Sequence, residues 1–446
     1  MGRPRLRLVG WHLSRRHRHP ATEEPEPVTA RSLIRQLGPG FITGASDDDP
    51  SGIATYSQVG AQFGYALLWT MPLSWPLMTA IQDISARIGR ITGHGIAGNL
   101  RRFHPHWLAR SIVALMVAAN VFNIGADFAA MGEALKLLVG GPALAYAVAF
   151  ALLSLALQVF LPYHRYARVL KWLTFALFAY VAAVFAVHVS WRDALHGALV
   201  PTLPSSAGVL TAVIAVLGTT ISPYLFFWQA SEEAEETVDA PRDRPLKRAP
   251  WQARRHLRRI DLDTAVGMAF SNLVSFFIIL TCAATLHATG ATGVATAAQA
   301  AEALRPVAGA LTFWIFSAGI IGTGLLAIPV LAGSAAYAVG ELMEWHVSLE
   351  SRPSAAKGFY SVLAAAMLTG LALDFVGIDP IRALFWSAVL NGVVAAPVMV
   401  VIMLLANNPR VVGQFSPPRP LRIVGWLATA VMLAMTAGML VSWMRG

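Results

Sequence analysis

The chain has 446 residues, of which 56% are hydrophobic and only 13% charged, with a mean hydropathy of +0.57. A soluble domain carries roughly 25% charged residues, so this composition excludes an ordinary soluble enzyme and gives a polytopic membrane protein. The formal charge of +10 does not indicate a nucleic-acid partner, because the basic residues gather in alternate loops between apolar segments.

The first 36 residues contain eight arginines and a Glu/Pro stretch, Glu23 to Pro27. They read as a disordered basic cytoplasmic tail with no secretory signal. A spanning helix needs about 20 apolar residues, and eleven candidates follow: 37–62, 66–89, 108–137, 141–161, 167–189, 208–231, 262–288, 308–345, 357–374, 380–406 and 421–443. The eighth is too long for one span and is expected to end in an extension around Glu341 to Trp345. Residues 37–446 are therefore read as one membrane domain, whose spans fall in two sets, about 37–189 and about 208–406, with an extra span at 421–443. The lone cysteine, Cys282, lies in an apolar stretch and reads as a buried structural thiol.

Basic residues crowd the N-terminal tail, Arg87 to Arg110, His164 to Lys171, Arg242 to Arg259, Arg352 to Lys357 and Arg410 to Arg422. The alternate connections are nearly bare. By the positive-inside rule this places the N-terminus in the cytoplasm and the C-terminus outside, in the cell (inner) membrane, after an odd number of spans.

The first span contains Asp47-Asp48-Asp49-Pro50, and the run from Leu37 to Ala66 has no Lys or Arg to neutralise it. An ionisable group at bilayer depth costs about 2.5 kcal/mol or more, so these carboxylates must face water, share protons or hold a cation. Pro50 breaks the helix beside them, and Asp49 reads as an N-cap with proline at the first helical position. That role leaves its carboxylate facing the break. Successive helical residues point about 100° apart, so Asp47, Asp48 and Asp49 cannot all face one ion; Asp49 is the expected main ligand, with the other two as ligands or as lining of a hydrated entry. The sixth span repeats the oddity as Gly218-Thr219-Thr220-Ile221-Ser222-Pro223-Tyr224. Pro50 and Pro223 each open a set of five spans, and paired interruptions in two halves point to an inverted-repeat transporter with a midplane site.

Ser222, the Thr219 carbonyl and water are expected to complete the shell around Asp49. Such hard oxygen donors suit Mg, Ca and Mn, and neither Met nor Cys lies near either break. The third span carries Asn120, Asn123 and Asp127 as a polar stripe, read equally as pathway lining or as an interhelical hydrogen-bond seam. Gln82 and Asp83 lie low in the second span, in a vestibule or snorkelling to the surface. Gly52, Tyr224 and Asn391 join Asp127, Asn123 and Gln82 as pathway-lining candidates. The acidic run Glu232, Glu233, Glu235 and Glu236 at the end of the sixth span needs partners, and the arginine-rich loop that follows is the favoured one over a cation exit funnel. An organic-substrate symporter on the same architecture would have these aspartates repelling its carboxylate. An intramembrane enzyme would need a motif of the His-Glu-x-x-His or Gly-x-Ser-x-Gly type, which no span contains.

The residues resemble the natural resistance-associated macrophage protein (Nramp) family of divalent metal transporters. The resemblance is carried by Gly38-Pro39-Gly40-Phe41-Ile42, Asp49-Pro50-Ser51-Gly52-Ile53-Ala54, Gln82-Asp83-Ile84-Ser85-Ala86-Arg87-Ile88-Gly89 with Thr92-Gly93, and Gly125-Ala126-Asp127-Phe128-Ala129. It implies an all-α membrane protein with the leucine-transporter-type 5+5 inverted repeat, eleven transmembrane helices, and spans 1 and 6 broken. It also implies a divalent metal cation as substrate, the lipid bilayer as surroundings, and neither a resident cofactor, an obligatory protein partner nor enzymatic activity. The chain departs from the family pattern at Ser51, where the family has glycine, and at Gly52, where it has a metal-binding asparagine. Ser222-Pro223-Tyr224 stands for the family's Met-Pro-His, and Ala130 for its third-span glutamate. The ninth span has only Lys357 in place of an arginine pair. This pattern is similar to that of the magnesium-transporting relatives that lack the methionine. It implies transport of the Mg/Mn class without obligatory proton coupling; a proton-coupled Mn/Fe symporter is the alternative.

Overall fold

A computed structural model describes residues 39–161, 176–204, 208–239, 243–349 and 353–445. The basic tail and the first part of the fifth expected span lie outside the described residues. Every regular element among the described residues is helical. The first expected span is two helices, α1 (Pro39–Asp47) and α2 (Pro50–Phe63). They are followed by α3 (Thr70–Thr92), α4 (Ile96–Phe103), α5 (His106–Val139), α6 (Ala143–Phe160), α7 (Phe178–Ala186) and α8 (Trp191–Leu199). The sixth span is also split, into α9 (Val209–Thr220) and α10 (Pro223–Asp239). Next come α11 (Ala253–Thr285), the short α12 (Ala297–Glu302), α13 (Thr312–Leu342), α14 (Lys357–Asp374), α15 (Pro380–Asn407) and α16 (Arg419–Arg445).

Both breaks arise from local sequence. Asp49 is extended (φ −75°, ψ 171°) and caps α2 through its side chain, with Pro50 at the first helical position; the ring supplies φ and its missing N–H is one the helix start would leave unpaired. Ile221 leaves helical geometry (φ −113°, ψ 58°) and Pro223 restarts the helix. The two broken spans pack together, α9 against α2 and α10 against α1. Around them, α1 and α2 lie on α11, α9 on α15, α10 on α3, and α5 is packed by α13, α14 and α15. Gly44 permits the approach of α1 to α11: a Cβ there would sit 2.3 Å from the Gly267 carbonyl oxygen, so no side chain fits.

Seven helical stretches among the described residues are long and apolar enough to cross a membrane, in α5, α6, α9–α10, α11, α13, α15 and α16. The other expected spans fall short for identifiable reasons. The first is cut in two at Asp49, α3 carries Asp83, Arg87 and Arg90, and α14 has Lys357 and Asp374 at its ends. The fifth is described only from residue 176.

One expectation is met and two are revised. The eighth span gives way near the expected extension: α13 ends at Leu342 and Trp345 N–H closes on the Gly340 carbonyl. The end is held because the Glu341 carboxylate accepts from the free N–H groups of Gly95 (2.6 Å) and Gly98 (2.8 Å) at the start of α4. The connection from Arg87 to Arg110 is not a plain loop but contains α4, whose Ile96, Ala97 and Leu100 are buried while Arg102 is exposed. The stretch from Ala253 to Arg259, expected within a loop, forms the first turns of α11, fixed where Arg259 pairs with Glu233 (2.7 Å) and Glu236 (2.8 Å).

Candidate metal site

Asp49 stands at the junction of the two helix breaks and is 2% exposed. Its Oδ1 accepts from Gly52 N–H and Ser51 Oγ, both at 2.7 Å, and its Oδ2 accepts from Asn123 Nδ2 at 2.8 Å. The Asn123 amide also approaches Asp127 Oδ2 at 3.5 Å, so α5 contributes an amide and a second carboxylate four residues apart on one face. Asp127 Oδ1, Asn123 Oδ1, Thr219 Oγ1 and Asn391 Oδ1 are buried without a hydrogen-bond partner. Burying unpaired oxygen costs stability unless something completes them.

Thr219 enters the site through its side chain. Its carbonyl accepts from Ser222 Oγ at 2.9 Å, and the same hydroxyl lies 3.0 Å from the Gly218 carbonyl. The Ser222 hydroxyl is thus turned back onto the last turn of α9. The Thr219 hydroxyl points instead at Gly52: a Cβ on Gly52 would lie 2.9 Å from Thr219 Oγ1, 3.2 Å from Tyr56 Cε2 and 3.5 Å from Asp49 Oδ1. This space is where the family pattern places an asparagine side chain. Gly52→Asn should therefore displace Thr219 and lower uptake by an order of magnitude or more, because over-packing a closed site costs about 1–3 kcal/mol; the double variant Gly52→Asn/Thr219→Ala should regain part of it in a vesicle uptake assay.

The other candidates separate. Asp47 and Asp48 turn away from Asp49 toward α11, accepting from Ser271 Oγ at 2.6 and 3.1 Å. Tyr224 directs its hydroxyl at the Ser46 carbonyl, 3.5 Å away. Asn120 joins α5 to α13 through Leu331 O and Ser334 Oγ, both at 2.8 Å. The polar stripe thus divides, Asn120 in a helix seam and Asn123 with Asp127 at the break. Gln82 is 1% exposed and neither snorkels nor lines a vestibule; it donates to the Leu225 carbonyl (2.9 Å) and Gln229 Oε1 (2.6 Å) of α10. Asp83 pairs with Arg87, which also holds Asp261. In the acidic run, Arg259 holds Glu233 and Glu236 as the loop reading anticipates, whereas Glu232 and Glu235 meet Tyr337 and Glu235 also meets Ser348.

Two cavities approach the breaks from opposite ends. One of about 220 Å³, on the basic-poor side, has Ala54, Ala130, Glu133 and Asp379 among its lining. Ala54 is five residues beyond Asp49 and Ala130 three beyond Asp127 on α5, so along the helix axes the lining stands roughly 5 to 8 Å from these aspartate positions. The other, about 340 Å³ on the basic-rich side, lies between α4, α10 and the end of α13. Burial and the neighbouring Arg102 and Arg248 push its His94 down to about 4, which leaves that imidazole neutral at physiological pH.

Among the described residues no three His, Cys, Asp or Glu side chains converge as a metal cluster. A cation at the breaks would have the two carboxylates Asp49 and Asp127 plus amide and hydroxyl oxygens, a donor set for a hard ion that keeps part of its water. Sequence reasoning placed Asp49, Asn123, Asp127 and Thr219 among the candidates but assigned Thr219 by its carbonyl. The small residue at 52 opposite a threonine was the available signal for the hydroxyl.

The family model for natural resistance-associated macrophage protein-like proteins matches residues 40–442. The divalent metal cation transporter MntH of Klebsiella pneumoniae strain 342 is 27% identical over 419 residues, spanning 92% of this chain and 94% of the relative. The protein of the same name from strain ATCC 700721 / MGH 78578 matches to the same extent. The Eremococcus coleocola manganese transporter, solved with an aromatic bis-isothiourea substituted compound, has the same fold at a TM-score of 0.73 and 17% identity, over 93% of this chain and 88% of that one. With its split first and sixth spans, its all-helical membrane architecture and a match over nearly its whole length, the chain belongs to the Nramp family.

Proposed function

We propose that this protein is a secondary transporter that carries a divalent metal cation of the Mg/Mn class by alternating access around the α1/α2 and α9/α10 breaks. The observation that carries this reading is the convergence of Asp49, Asn123, Asp127 and the Thr219 hydroxyl, all buried, at the point where the two broken spans meet. Unwound segments with inward oxygens are the recurrent ion site of inverted-repeat transporters. The names of its relatives, a divalent metal cation transporter and a manganese transporter, support the same class of substrate. Asp49 and Asp127 supply a formal charge that balances a dication, and Asn123 and Thr219 supply neutral oxygens. Asp47, Asp48, Ser222, Tyr224, Gln82 and Asn391 act around this group rather than at its centre. The reading puts the N-terminus in the cytoplasm and the C-terminus outside, in the inner membrane, with support from the alternation of basic loops.

Uptake of radiolabelled Mn into proteoliposomes, challenged with Mg, Fe and Cd, tests the class. The site offers oxygen donors without a thioether, so hard ions lose little and soft ions lose a partner. Mn and Mg should compete best, and Ser222→Met should move the preference toward Cd. A wild-type protein that already prefers Cd over both hard ions would overturn the ligand assignment.

A further inference from the structure

Asp47 and Asp48 are 1% and 2% exposed, and among the described residues neither forms an ion pair with Lys, Arg or His. Their hydrogen-bond donors come from α11. The Ser271 hydroxyl has one hydrogen, yet stands 2.6 Å from Asp47 Oδ2 and 3.1 Å from Asp48 Oδ1. The Ser275 hydroxyl lies 3.3 Å from the same Asp48 oxygen, but 3.0 Å from the Ser271 carbonyl, where its hydrogen is satisfied along its own helix. Among the described residues these two hydroxyls serve both buried carboxylates, and Asp47 Oδ1 has no hydrogen-bond partner.

Two further features converge there. Helix α1 ends at Asp47, so its last carbonyls add the negative end of a helix dipole to the two carboxylates. The Tyr56 hydroxyl is fully buried without a hydrogen-bond partner and lies close to both Ser275 and the Thr219 hydroxyl. Negative charge at a helix C-terminus is unfavourable by itself, and among the described residues no basic side chain pairs with it.

We propose that Asp47, Asp48, Ser271 and Ser275 form a second cation site, adjoining the Asp49 group across Tyr56, that takes a monovalent alkali cation of the sodium class. The inference rests on the divalent-transport reading only for the charge of the neighbouring ion. The donors are all hard oxygens, which suit alkali and alkaline-earth ions alike. Charge decides between those two. Asp48 and Asp49 are adjacent in the chain, so the two ions would be near neighbours in a buried region. Repulsion scales with the product of charges, and a dication beside a dication is repelled twice as strongly as a monovalent ion is. A co-bound alkali ion would offset the aspartates while leaving the Asp49 group able to accept its metal, and it would tie α1 to α11 through charge as well as packing.

The test is equilibrium binding of radiolabelled sodium to the purified full chain in nanodiscs, with choline as the balancing salt. Wild type should bind sodium saturably. Asp47→Asn and the near-isosteric Ser271→Ala should each weaken that binding about tenfold or more, whereas Asp49→Asn, which removes only a neighbouring charge, should weaken it clearly less than Asp47→Asn. Absence of saturable sodium binding, an equal loss in Asp49→Asn, or displacement of sodium by Mg at equal concentration would overturn the proposal. Because this readout needs no metal uptake, sodium binding in a protein that transports no dication would refute the transport reading alone.

Discussion

Asp49→Asn is expected to abolish metal uptake in proteoliposomes while the protein remains folded and monodisperse. The substitution keeps the size of the side chain and an oxygen able to accept from Gly52 N–H and Ser51 Oγ, so the cap of α2 survives with modest loss; N-cap Asn and Asp are nearly equivalent. What disappears is the charge. Asp49 Oδ2 also holds the Asn123 amide at 2.8 Å, and an amide in its place presents either a second donor to Asn123 or a neutral oxygen to the cation. A dication leaving water for a site with one carboxylate fewer faces an uncompensated desolvation of several kcal/mol, which corresponds to a loss of two orders of magnitude or more. Asp127→Asn should also weaken apparent affinity, but less, because Asp127 caps nothing and sits at the edge of the shared amide. Uptake by Asp49→Asn with an unchanged apparent affinity would remove Asp49 as the principal ligand.

The comparison of Asp49 with Asp47 and Asp48 shows what could be read from the chain. The break at Asp49-Pro50 and its counterpart at Ser222-Pro223 were legible because proline and an N-cap act locally, within one helical turn. Rotation by about 100° per residue was enough to say that the three aspartates face different ways, but not which element each would meet. That depends on α11, whose Ser271 and Ser275 are 223 or more positions away from the aspartates they meet. Asn120, Asn123 and Asp127 were legible as one stripe for the same local reason. Their division, with Asn120 bonded to α13 and Asn123 to Asp49, is decided by helix packing and leaves no mark in the spacing. Gln82 was read as solvated because polar residues low in a span often are; the structure spends its amide on α10, whose Gln229 in turn donates to Thr264 Oγ1 at 2.9 Å. Two omissions had available signals. Ile96, Ala97 and Leu100 follow helical spacing in a connection dismissed for its charge, and Thr296 with Gln299 is a capping box at the start of α12.

Metal entry should proceed without obligatory proton movement. In the family pattern the proton route is attributed to the first-span aspartate, a sixth-span histidine, a third-span glutamate and ninth-span basic residues. Here the histidine position is Tyr224, whose hydroxyl contacts the Ser46 carbonyl, and a tyrosine, with an ordinary pKa of about 10, does not exchange its proton readily at neutral pH. The glutamate position is Ala130, which lines the outer cavity one turn beyond Asp127 and carries nothing that titrates. The ninth span offers Lys357 at the opposite end of a helix that finishes at Asp374. The family's relay positions beyond Asp127 are therefore vacant, and the carboxylate that follows it is Asp374, packed beside Gly125. With membrane potential clamped by ionophore, Mn uptake at a fixed external pH should be the same whether or not a pH gradient is imposed, and the vesicle interior should not acidify as metal enters. Acidification that tracks Mn entry at a fixed ratio would defeat this expectation and return the protein to the proton-coupled Mn/Fe class. The carriers would then have to be sought among Asp47, Asp48 and Asp127, buried beside the breaks, and Asp374 next to Gly125, by repeating the measurement on their Asn variants.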